Sequence, residues 1–256
     1  MKVAVLVLLA RVLLAQDYSR SPGYAAYRRA DQLFVKKQIP EAVRSLEEAL
    51  KQDEQLVPAL TLYARIAMTM NRFELARNSL DRALSVEPKS ASVQFLYGLS
   101  YYLSNDIAQA MKRFERARQL DPKDGRAALY LGMTEESLGR LTEAMSQYED
   151  AVRIGPSVEA WLTGARLLEL EDRLEQARRW IDQALLLDPA SRDGHFEKAR
   201  LLLKTNEPAA AAKEGEEALS LPQGSIADKQ IHYLLARAYR NLDAERAERH
   251  AAAARQ

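Results

Sequence analysis

The chain has 256 residues, with 37 Lys and Arg against 36 Asp and Glu, and no cysteine. So even a charge balance excludes a protein that holds nucleic acid chiefly through a bulk positive field. Without cysteine there is no disulfide framework, no thiolate metal site and no cysteine nucleophile, and the redox compartment is left open.

Residues 1–15 stand apart from everything that follows. Lys2 gives a short positive start, residues 3–10 are apolar, and Leu13-Leu14-Ala15 ends on a small residue. This stretch resembles a secretory signal cut after Ala15, which implies an exported chain, periplasmic or secreted. The alternative is a cytoplasmic chain whose apolar first helix caps the domain. Arg11 interrupts the run, which is too short for a comfortable membrane span, so this segment is the sole expected membrane contact.

Residues 16–22 read as a polar lead-in. From Gly23 onward the sequence predicts helical hairpins. The first unit, 23–56, has small residues at Ala30, Ala42 and Ala49 and large ones at Leu33 and Leu46, with Pro40 in the first turn of its second helix. The second, 57–90, has Ala64, Ala76 and Ala83, Asn71 as a candidate cap, and a stop at Glu87-Pro88. The third, 91–124, places Gly98, Ala110 and Ala117 where two helices must approach, and Leu96, Tyr101 and Phe114 where space must be filled. Asn105-Asp106 offers the N-cap of its second helix.

The fourth unit, 125–157, repeats the third at a shift of 34 residues: Tyr97-Gly98 falls on Leu131-Gly132, Ala110 on Ala144, Phe114 on Tyr148, Ala117 on Ala151. The fifth, 158–191, begins one residue early, because a single Ser157 follows Pro156. In the sixth, 192–222, Gly215 stands where the others carry a large apolar side chain, which predicts thinner packing there. Residues 223–229 read as a longer, flexible loop. The seventh, 230–256, ends in a polar, Ala-rich helix suited to a solvent-facing cap.

A fixed period of this length marks an array of units that bury their apolar faces against one another. The recurring pattern resembles the tetratricopeptide repeat: large apolar, Leu-Gly or an equivalent, aromatic, then Ala, aromatic, Ala and a closing Pro. The resemblance covers residues 23–256. It implies an all-α, right-handed superhelical solenoid of about seven antiparallel hairpins, with the first helix of each lining a concave groove. Carried onto this chain, the groove set is Tyr27, Arg65, Phe95, Leu99, Tyr102, Leu129, Met133, Arg166 and Arg200. An apolar patch rimmed by charge suits a protein or peptide partner; packing between units is the other reading of the same side chains.

No catalytic constellation is visible. There is no His-Glu-x-x-His, no Gly-rich phosphate loop and no Gly-x-Ser-x-Gly, so no metal, cofactor or enzymatic activity is expected. Clusters such as Arg28-Arg29 and Lys112-Arg113 lie among acids, as on a solvated helix face rather than a nucleic-acid patch. His195 and His232 fall at equivalent packing positions, and His250 lies on the last helix. The expected function is a non-enzymatic interaction scaffold. The alternatives are a structural accessory subunit of an envelope or secretion assembly using its convex face, and a regulatory module of an enzyme catalytic elsewhere.

Overall fold

The computed structural model describes residues 17–222 and 224–255, so the expected signal at 1–15 lies outside the described residues. Those residues fold into helices, with no strand among them. They form two compact units, divided after Pro122.

The first unit holds α1 (Tyr24–Val35), α2 (Ile39–Gln52), α3 (Val57–Thr69), α4 (Phe73–Val86), α5 (Ala91–Leu103) and α6 (Ile107–Leu120). The second holds α7 (Gly125–Ser137), α8 (Leu141–Ile154), α9 (Val158–Leu170), α10 (Leu174–Leu187), α11 (Arg192–Lys204), α12 (Pro208–Ser220), α13 (Asp228–Tyr239) and α14 (Ala244–Ala253). Consecutive helices pair as hairpins, and within each unit every hairpin packs on the next. The all-α repeat class expected from the 34-residue period is the class observed.

One turn closes six of the hairpins. Lys37, Asn71, Asn105, Gly139, Asp172 and Asn206 have φ between 56° and 74°, in the left-handed region. The following amide reaches five residues back: Gln38 to Leu33, Arg72 to Ala67, Asp106 to Tyr101, Arg140 to Glu135, Arg173 to Leu168 and Glu207 to Leu202. This is a Schellman closure, and it satisfies carbonyls the first helix leaves open. Asn71 therefore turns the chain and does not cap α4, whose N-cap residue Arg72 makes no side-chain cap bond. In the third hairpin the two roles separate: Asn105 takes the turn and the Asp106 carboxylate accepts from Gln109 N.

In each of the first five hairpins the core balances volume across one pair of positions. Ala30 faces Leu46, Ala64 faces Leu80 and Ala165 faces Ile181, all buried. Where the first helix carries glycine the second carries a buried ring: a Cβ built on Gly98 would lie 2.6 Å from Phe114, and one on Gly132 would lie 2.5 Å from Tyr148. The sixth hairpin corrects the expectation of thin packing at Gly215. Leu235 and Leu234 of α13 move into that space, with Leu235 Cδ2 only 2.7 Å from where a Cβ would stand.

The loop after α12 is also tied down. Buried Arg192 donates to the carbonyls of Leu221 and Ile226 and pairs with Asp228, while Asp193 accepts from Ser225 and from Ile226 N. The polar lead-in is docked as well. Tyr18 packs among Leu50 and its neighbours and donates from its hydroxyl to Glu87, and Ser21 donates to Asp53 at 2.6 Å.

Candidate functional site

First helices of neighbouring hairpins lie side by side: α1 with α3 and α3 with α5 in the first unit, α9 with α11 and α11 with α13 in the second. The faces they present differ in chemistry between the two units.

In the first unit the face is aromatic and aliphatic. Tyr27 and Phe34 are half-buried on α1, and the Arg65 guanidinium of α3 sits 5.1 Å from the centre of the Phe34 ring. Such stacking holds the cation on an apolar floor. Burial, and then the charge of Asp31, push the Tyr27 hydroxyl's pKa up, which keeps it neutral. On α5, Leu99 and Tyr102 are half-buried and Leu103 is 50% exposed.

In the second unit the face is ionic. Glu169 on α9 and Glu197 on α11 are buried. Arg200 bridges them, with its Nη2 2.8 Å from Glu169 and 2.6 Å from Glu197. Arg166 lies 3.5 Å from Glu197, and Lys204 donates to the backbone carbonyl of Glu169 at 2.8 Å. Desolvation raises the Glu169 pKa, and Arg200 works against it. The result is two sunken carboxylates beneath a more exposed layer of cations.

Seven of the nine expected groove residues thus offer exposed or half-buried side chains. Two do not. Phe95 is 7% exposed, its ring 5.6 Å from that of Phe114, and Leu129 is 2% exposed within the second unit's core. The Phe95 ring turns toward the second helix of its hairpin. The same position in the first hairpin is Tyr27, which stays half-buried, so the position alone does not decide which side chains reach the face. Glu197 and Lys204, which complete the ionic face, were missed; the Glu197–Arg200 spacing of three was their sequence signal.

His195 is held by Glu214 and the Pro189 carbonyl, a packing role. No buried side-chain polar atom lacks a partner among the described residues. Nor does any group of three or more His, Asp or Glu there take up a metal-binding arrangement.

Two family models described as tetratricopeptide repeat match the chain, one at residues 34–98 and the other at 101–159 and 163–226. The chain belongs to the tetratricopeptide repeat family. No curated protein sequence matches it. Among solved structures the array is similar to PilF of Pseudomonas aeruginosa, at 22% identity and TM-score 0.65, covering 76% of this chain and 89% of that one. It is similar to PilW, described as a widely conserved type IV pilus biogenesis factor, at 21% identity and TM-score 0.65, over 76% and 91% of the two chains. A tetratricopeptide repeat protein from Parabacteroides merdae matches at 16% identity and TM-score 0.63, over 91% and 92%. At these identities the likeness is one of fold. No helix among the described residues is long and apolar enough to cross a membrane.

Proposed function

We propose that this tetratricopeptide array is a non-enzymatic interaction scaffold that holds a segment of a partner protein against the face of its first helices. The observation that carries the reading is the apolar patch of α5. Leu103 is half exposed beside Leu99 and Tyr102, and the neighbouring α3 adds a stacked cation at Arg65. Apolar side chains left at a surface and flanked by charge are the composition of a docking site. Leu99, Tyr102 and Arg65 are its anchors in the first unit, and Met133, Arg166 and Arg200 are the corresponding residues of the second.

The test is capture of partner proteins by the purified chain beside a Leu99→Ala/Tyr102→Ala variant. The double variant loses its partners while keeping its helical circular dichroism. Unchanged capture refutes docking at this face.

A second reading rests on the likeness to PilW: an accessory subunit of an envelope assembly that uses the second helices. Cross-links falling on α2, α4, α8 and α10 rather than on the first helices would select it. Export is part of both readings, and sequencing the mature N-terminus tests it, with Gln16 expected first.

A further inference from the structure

Two histidines separated by 18 residues meet in the last hairpin. His232 of α13 and His250 of α14 bring their Nδ1 atoms to 2.9 Å, with ring centres 5.2 Å apart. On its other side His250 turns Nε2 toward Glu216 of α12 at 3.3 Å, and its ring stacks on Tyr239 at 5.8 Å, almost parallel.

We propose that His232 and His250 form a bis-imidazole site for a first-row divalent cation of tetragonal preference, Cu²⁺ foremost, which staples α14 to α13. Several observations converge on it. Two nitrogens held 2.9 Å apart and bonded to one metal at about 2.0–2.1 Å subtend roughly 90° at it. That is the angle between neighbouring ligands in a square-planar or tetragonal set, the geometry of Cu²⁺ and Ni²⁺. A tetrahedral ion would need the nitrogens spread to roughly 3.4 Å.

The two rings are held edge to edge through their Nδ1 atoms, and each turns slightly to aim its lone pair at a cation beside the N–N line. Glu216 lies 3.3 Å from Nε2, and its charge favours the tautomer with the His250 proton there, which leaves a lone pair on Nδ1. A carboxylate behind the ligating imidazole is the usual support of a metal-bound histidine. With His250 in that tautomer, the His232 Nδ1–H donates to His250 Nδ1 in the metal-free pair. On binding, that proton moves to Nε2 of His232 and the cation takes its place, so the neutral pair releases no proton. The protein supplies two ligands and water completes the set, consistent with the absence of a three-residue cluster among the described residues.

The site also has a mechanical consequence. None of the α14 side chains is buried. A metal bridge would therefore strengthen the helix with the least apolar anchorage.

The experiment titrates the full chain with Cu²⁺ alone in a non-chelating buffer near neutral pH. Calorimetry gives stoichiometry and Kd, and electron paramagnetic resonance counts nitrogen ligands. The expected result is one ion per chain with two imidazole nitrogens. His232→Ala and His250→Ala each weaken Kd by at least about tenfold, while His195→Ala leaves it unchanged. Should α14 fray in an alanine variant, His250→Gln with retained circular dichroism decides. Amide exchange in α14 slows with Cu²⁺ in the parent chain alone. Equal affinity in the parent and His250→Gln chains overturns the assignment, and so does a spectrum with one nitrogen. Docking at α5 is untouched by either outcome.

Discussion

The pairing of Gly98 with Phe114 can be tested by a swap that conserves volume. In Gly98→Ala the new methyl would stand 2.6 Å from the Phe114 ring, whose exposure is zero. Ordinary carbon contacts lie at about 3.5–4.0 Å, so the ring must retreat by roughly 1 Å inside a filled core. Overpacking of this kind costs about 1–3 kcal/mol. Removing a glycine from a helix interior returns about 0.8–1.0 kcal/mol. The net expectation is a loss of up to about 2 kcal/mol. Phe114→Leu alone leaves space beside the glycine and loses about 1–2 kcal/mol. Together the substitutions rebuild the Ala–Leu pair of the first two hairpins, Ala30 with Leu46 and Ala64 with Leu80. The double variant should then lie within about 1 kcal/mol of the parent and lose less than the two single variants combined, a favourable coupling. Urea melts followed by far-ultraviolet circular dichroism read all four chains. Additive losses in the double variant would refute the volume rule.

Two other outcomes concern the last hairpin. Arg192→Ala removes the donor to the Leu221 and Ile226 carbonyls and should cost about 2–3 kcal/mol, seen as faster amide exchange over residues 224–239. Arg192→Lys should recover only part, because one ammonium cannot span the partners of a guanidinium. Acidification should loosen the same region. The His232 pKa is depressed in the fold, first by burial and then by His250. The unfolded chain therefore takes up that proton at a higher pH than the folded one. This contribution to stability is complete above the ordinary histidine value of about 6.5 and is lost as pH falls through the folded value. With chelator present, α14 amide protection measured against pH should fall on the acid side, and His250→Ala should reduce the dependence.

The fold class and family were legible because each hairpin repeats the same small and large residues in register, and Gly98, Ala110, Phe114 and Ala117 do the same work as Gly132, Ala144, Tyr148 and Ala151. The faces were less legible. Phe95 and Leu129 share a helix side with true surface positions, and only the direction of the side chain toward the second helix separates them. Gly215 misled for a related reason: its void is filled from the next hairpin by Leu235, a neighbour that no count within the unit reveals. Nothing in residues 224–229 themselves signals the buried Arg192 guanidinium that fastens this loop. His232 and His250 stand in no recognisable spacing, because antiparallel helices bring together residues whose separation depends on the turn between them.

The shortened joint before α9 bears on how such a chain can change length. Steps between left-handed turn residues are 34 residues everywhere except from Gly139 to Asp172, where the step is 33. The shorter step lies between α8 and α9, where three residues rather than four join the hairpins, while the turns inside the first six hairpins all have three. Joints between hairpins are thus the seams of the molecule, where insertions, deletions or grafted segments can enter without altering the internal register of either neighbour.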